Sequence, residues 1–193
     1  YTAVDNIDDI ITSLKSIKST YGVYAVLGNH DVDFSIRQTN SAVTSPEDRI
    51  TSFFKKAGIT LLKDEQVLIN DSFYIAGRLD AAPIGSRAFE RQELNAILQG
   101  IDKSKPLILL DHRPTAIKEA KDNGADLLLS GHTHKGQIFP GNLITKTMYK
   151  VDYGYLKMGS LQTIVSSGVG FWGPPLRIGS SSEIVNIKIS FNN

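Results

Sequence analysis

Three short apolar runs suited to buried strands each lead into a histidine motif, and those motifs hold all four histidines of the chain. Residues 23–27 precede Gly28-Asn29-His30-Asp31, residues 107–110 precede Asp111-His112-Arg113-Pro114, and residues 125–129 precede Gly131-His132-Thr133-His134. Strands alternating with helical patterns imply a mainly parallel sheet covered by helices. Open α/β sheets form ligand sites outside the carboxyl ends of their strands. The expectation is an α/β fold whose strand ends bring every histidine to one site.

Bulk properties narrow the function classes. At 193 residues the chain is long enough to bury a real core, and it reads as one domain over residues 1–193. A net charge of +1 argues against nucleic-acid binding by electrostatics. The absence of cysteine excludes disulfides, thiolate metal sites and cysteine nucleophiles. No apolar run is long enough to span a bilayer and no signal peptide is visible. The chain opens at Tyr1 just ahead of a helical pattern, so it reads as N-terminally truncated, and an anchor or targeting signal had room before Tyr1.

Local patterns set the expected elements. Ile7, Ile10, Ile11, Leu14 and Ile17 share one face of a helix over 4–18. Ser45-Pro46-Glu47-Asp48 is a helix start, and Gly58 ends that helix. Strands are expected at 59–63, 67–70 and 73–77, with Asn70-Asp71-Ser72 as a hairpin turn. Further helices fall at 87–98 and 114–122. From Gln137 the texture becomes β-rich, with pieces at 149–158, 161–166 and 183–191 around a loop at 168–182, which implies a second, mixed or antiparallel sheet.

The motifs carry chemistry of different weight. Gly28-Asn29-His30-Asp31 offers an amide oxygen, an imidazole and a carboxylate that could orient it, or simply a polar turn. His132 and His134 would point the same way on an extended backbone and could serve one metal or two; imidazole suits Zn, Fe and similar ions. His112 alone reads first as a hydrogen-bonded core residue and gains weight as a ligand only because the other two motifs also end strands. Arg78, and Asp80 near it, stand past a strand, so Arg78 could grip phosphate or make a salt bridge. Asp33 and Arg37 could line a pocket. The apolar Phe171-Trp172-Gly173-Pro174-Pro175 could cover the site or contact lipid; packing between sheets is the default.

Taken together and in this order, Gly28-Asn29-His30-Asp31, His112 and Gly131-His132-Thr133-His134 resemble the calcineurin-like metallophosphoesterase superfamily. The run Tyr21–Asp31, and Arg177-Ile178-Gly179 followed by Glu183-Ile184, look like its bacterial, often membrane-associated branch, which includes enzymes similar to UDP-diacylglucosamine pyrophosphatases. The resemblance implies a four-layer α/β/β/α sandwich and two divalent metal ions, Mn, Fe or Zn, holding a hydroxide that attacks a phosphodiester, phosphomonoester or pyrophosphate. Asn29, His112 and His132 match ligands of the second metal and His134 a ligand of the first. His30 and Asp31 match the catalytic histidine and the carboxylate that orients it, while Arg78 and Arg113 are candidates for substrate binding. The implied partner is a phosphate ester, nucleotide- or lipid-linked, with a membrane surface reached through the segment before Tyr1. The family also needs an Asp-x-His and a Gly-Asp-x-x-Asp, and neither occurs here. They are expected before Tyr1 with the first strands, which would leave this chain one metal or none, and makes a catalytically silent binding domain the alternative.

Overall fold

The computed structural model describes residues 6–31, 46–81 and 91–190. Asp33, Arg37, Ser45 and the start of the helix expected at 87–98 lie outside them. The first helix, α1 (Ile7–Lys15), is shorter than the apolar spacing suggested. Asn6 caps it by accepting from the Asp9 amide, and Asp8, Asp9 and Lys15 complement its dipole. β1 (Tyr24–Ala25) pairs in parallel with β2 (Thr60–Leu61), and α2 (Pro46–Lys56) packs beside β2.

The larger sheet has six strands in the order β3-β4-β5-β6-β8-β7. These are β3 (Glu65–Ile69), β4 (Phe73–Gly77), β5 (Leu107–Leu110), β6 (Leu127–Ser130), β7 (Gly154–Met158) and β8 (Leu161–Val165). β4, β5, β6 and β8 run parallel, while β3 and β7 close the two edges antiparallel. Asn70 and Asp71 take left-handed backbone at the β3–β4 turn, which asparagine and aspartate tolerate. One face of this sheet buries Tyr74, Ala76, Leu107, Leu109, Leu128 and Leu161. It packs against Leu94 and Ile97 of α3 (Leu94–Ile97) and Ile117 and Ala120 of α4 (Ile117–Asp122). The result is a mixed α/β fold with a central sheet flanked by helices.

The two sheets meet at Gly77. A Cβ built there would overlap Leu62 Cβ and lie 2.7 Å from Val26 Cγ1, so only glycine lets the β1–β2 pair approach β4 so closely. That approach sets the Gly28-Asn29-His30-Asp31 turn over the ends of the parallel strands. Backbone bonds then align the other two motifs, because the Asp111 amide donates to the Leu129 carbonyl and the Gly131 amide to the His112 carbonyl.

Four expectations are corrected. Helix 87–98 is one turn in its described part: the Gln92 amide is held by Asp64 and the Arg91 side chain by Asp111, and Glu93 is extended (φ −62°, ψ 140°). The tail does not build a separate sheet, since β8 joins β6 in parallel and β7 covers its edge. Between them and the last histidine motif lies an unexpected helix, α5 (Gly141–Met148). Residues 183–190 form no strand, although 187–190 lie beside Leu127 of β6 and Gln162 and Ile164 of β8.

Candidate metal centre

Asn29, His112 and His132 come from the ends of three different strands and meet at their donor atoms. Asn29 Oδ1 lies 2.9 Å from His112 Nε2 and 3.1 Å from His132 Nδ1, and the two ring nitrogens are 3.2 Å apart. Hydrogen bonding cannot account for all three sides of this triangle. An amide oxygen only accepts, and each neutral imidazole has one N–H, so at most two sides are hydrogen bonds and the third sets lone pairs or protons against each other. A cation resolves the conflict. Donors at about 2.1 Å from one ion and in adjacent octahedral positions stand roughly 3.0 Å apart, close to all three observed sides. The residues therefore fit a divalent metal with nitrogen and oxygen ligands. Among the described residues no group of three His, Cys, Asp or Glu gathers in this way; the third donor here is an amide.

Local structure enforces the convergence. Asn29 is buried in a turn closed by Asp31, whose carboxylate accepts from the Gly28 amide at 2.5 Å. Gly28 gives its missing side chain's space to His112, for a Cβ there would lie 2.8 Å from Cε1 and 3.0 Å from Nε2 of that ring. The Gly131-His132-Thr133-His134 segment is not extended, contrary to expectation. His132 (φ 70°) and His134 (φ 49°) are left-handed, as are Lys135 and Gln137, and residues His134–Gly136 form a 3-10 turn. Left-handed backbone at so many non-glycine residues is costly, and such strain concentrates at functional sites. Thr133 Oγ1 anchors the turn by donating to the Asp152 carbonyl at 2.5 Å.

Asn29, His30, Asp31, His112, His132 and His134 all line one cavity of about 560 Å³. All the residues assigned to metal and catalysis thus face one space. The two arginines assigned to substrate do not. Arg78 is 3% exposed and donates to Glu119 Oε2 at 2.6 Å and the Gln92 carbonyl at 3.0 Å. Arg113 Nε shares its one N–H between the two carboxylate oxygens of Asp80, 3.0 Å from each. Both lie outside the cavity lining.

Two residues to which the sequence reading gave no role support this site: Arg177 beside His134, and Gln137 on the cavity lining. Arg177 Nη2 lies 3.4 Å from His134 Nδ1 and donates to the carbonyls of Ser167, Gly168 and Gly170 at 2.8, 3.1 and 2.6 Å. Buried Gln137 brackets Trp172, donating from Nε2 to its carbonyl at 2.6 Å and accepting from its amide at 2.5 Å. Neither contact has a signal in local spacing, because each joins residues far apart in the chain.

Burial, followed by the nearby Arg113 and His112, lowers His132 to about 4. His112 is lowered chiefly by burial, and His134 by burial and then by Arg177. Neutral imidazole is the form that binds metal. The unfolded chain takes up the His132 proton near the ordinary value of 6.5 and the folded one only near 4. Its contribution to stability is thus complete above pH 6.5 and is lost as pH falls from there toward about 4. In metal-free protein, the His132 ring resonances should titrate near 4 by NMR; a midpoint near 6.5 would contradict the burial argument.

A family profile described as calcineurin-like phosphoesterase matches residues 5–136, all three histidine motifs included. An uncharacterised metallophosphoesterase of Helicobacter pylori J99 is 33% identical over 96% of this chain and 47% of its own length. One of Aquifex aeolicus is 35% identical over 95% of this chain and 67% of its own. A bovine protein named transmembrane protein with metallophosphoesterase domain is 30% identical over 92% of this chain and 40% of its own. The chain spans about half the length of the Helicobacter relatives it matches. No solved structure matches it. No helix among the described residues is long and apolar enough to cross a membrane.

Proposed function

Because this chain belongs to the calcineurin-like phosphoesterase family, we propose that its protein is a metal-dependent hydrolase of phosphate esters, acting in the cavity beneath the three histidine motifs. The observation that carries the reading is the triangle of Asn29 Oδ1, His112 Nε2 and His132 Nδ1, with sides of 2.9, 3.1 and 3.2 Å. These three residues would hold one divalent ion, and His134, on the same cavity wall, would serve a second. When bound, the ions supply positive charge that polarises the phosphoryl group and makes water a competent nucleophile near neutral pH. His30 lines the same space and is assigned to protonate the leaving oxygen. Asp31 holds the turn that carries His30 by accepting from the Gly28 amide. Burial lowers both His112 and His132, which favours the uncharged rings whose lone pairs the ions would need.

A second reading is a binding domain with an incomplete metal site. The triangle favours it to one extent: its donors are two imidazoles and an amide, so no carboxylate among them balances the ion's charge. One experiment separates the two. Protein stripped with a chelator should hydrolyse bis(4-nitrophenyl) phosphate only after Mn²⁺ is returned, with metal per chain counted by elemental mass spectrometry. Retained metal without turnover would select the binding domain, and turnover unaffected by chelation would overturn both. Running a monoester, a diester and a pyrophosphate side by side ranks the three bond types.

A further inference from the structure

We propose that the face formed by α5 and the Phe171–Trp172 loop docks on an anionic lipid bilayer, with the histidine cavity opening beside it. The first observation is that α5 is amphipathic in the wrong sense for a soluble surface. Leu143, Ile144 and Met148 are 54%, 60% and 67% exposed, while Asn142 and Thr145 turn inward. Thr145 Oγ1 donates to Asp152 Oδ2 at 2.7 Å, and no residue of the helix is fully buried. A surface helix ordinarily hides its apolar stripe; this one displays it.

The second observation is that the aromatic loop is held outward rather than left loose. Gln137 brackets the Trp172 backbone from both sides, and Arg177 gathers the carbonyls of Ser167, Gly168 and Gly170. Partly buried polar contacts thus fix a loop whose Phe171 and Trp172 remain 47% and 58% exposed. The sequence expectation that this loop fills the core between sheets is corrected. Ile144, Met148, Phe171 and Trp172 also line the cavity with the histidines, so the apolar rim and the metal centre share one opening. Contiguous exposed apolar surface marks an interaction site.

Charge selects the partner. Lys146 on α5 and Lys150 just past it are both exposed, and residues 141–151 contain no acid. Arg177 is turned inward onto the loop carbonyls and adds nothing to this face. Large apolar side chains with lysines beside them on an in-plane helix are the chemistry of attachment to anionic lipid. A protein partner of neutral surface would make no use of the lysines.

Trp172 is the chain's sole tryptophan, so its emission reports this face directly. With chelator present, the chain should sediment with vesicles of phosphatidylglycerol and phosphatidylcholine in equal parts, with a blue shift of Trp172. Binding to phosphatidylcholine alone should be weaker, and high salt should release the protein. Ile144→Ser with Met148→Ser should weaken partitioning on the order of tenfold or more. Lys146→Glu with Lys150→Glu should weaken it on the anionic vesicles. All four side chains are exposed, and unchanged thermal unfolding identifies folded variants. Unshifted emission with both vesicle types overturns the proposal, as does equal binding to both lipids that ignores the charge reversals. A dimer in sedimentation that the serine substitutions dissolve also overturns it and gives the face to a second copy. Because chelator removes any metal-dependent turnover, the outcome is independent of the hydrolase reading.

Discussion

Replacing His132 by alanine should strip the protein of metal and lower its Mn²⁺-dependent turnover of bis(4-nitrophenyl) phosphate by more than the roughly 100-fold that outer-sphere changes reach. His132 supplies one corner of the donor triangle, 3.1 Å from Asn29 Oδ1 and 3.2 Å from His112 Nε2. Two corners remain, and Asn29 Oδ1 and His112 Nε2 are then free to satisfy each other as an ordinary 2.9 Å hydrogen bond. The vacated site thus has an alternative that competes with the ion. Alanine at φ 70° also carries backbone strain. His132→Asn separates the two effects, since asparagine tolerates the left-handed region but brings no imidazole. Both variants should lose metal and turnover, while only alanine should lose stability as well. Normal turnover in His132→Asn with metal still bound would remove the triangle from the mechanism.

Asp111→Ala should be among the most destabilising single changes in the chain, at about 3–5 kcal/mol. Asp111 is 1% exposed, with Oδ1 3.1 Å and Oδ2 2.5 Å from the two terminal nitrogens of Arg91, and Oδ2 3.9 Å from Arg78. Burial pushes this carboxyl up and Arg91 pulls it back. Removing it leaves a mostly buried guanidinium without its counter-charge. The cost should fall toward the lower figure, because Arg91 keeps the Leu79 carbonyl and Arg78 keeps Glu119. At roughly 2–4 °C per kcal/mol for a chain this long, the melting temperature should drop on the order of 10 °C. A loss below about 1 kcal/mol, the range of surface ion pairs, would show that the network is solvated. Because Asp111 directly precedes His112, the same variant should also weaken metal binding.

The contrast between these two residues shows what was legible beforehand. Neighbours in one sequence motif, Asp111 and His112 divide at the strand end: His112 faces the cavity and Asp111 turns to the buried arginines. Strand alternation makes such a split predictable, but not which arginine would arrive. Arg91 comes from a segment that helical periodicity assigned wholly to a helix, because its tie to Asp111 is a contact 20 residues away.

What the sequence determined by itself is the set of strand ends and the chemistry placed on them. Apolar runs and glycines are local signals, and they identified β4, β5 and β8 closely. Asn29, His112 and His132 are grouped by the resemblance of the combined motifs, since His112 alone carries no such signal. Tertiary structure decided the rest. It set the left-handed turn that aims His132 and His134, where a reading from alternation expected extended backbone. It wrote α5 over β-branched residues and turned the helix's apolar side outward, and it recruited Arg177 and Gln137 to hold the Phe171–Trp172 loop. The physical reason is the same in each case. Propensity and periodicity carry tenths of a kcal/mol to about 1 kcal/mol per residue, whereas a buried charge or amide must find its partner wherever the fold provides one.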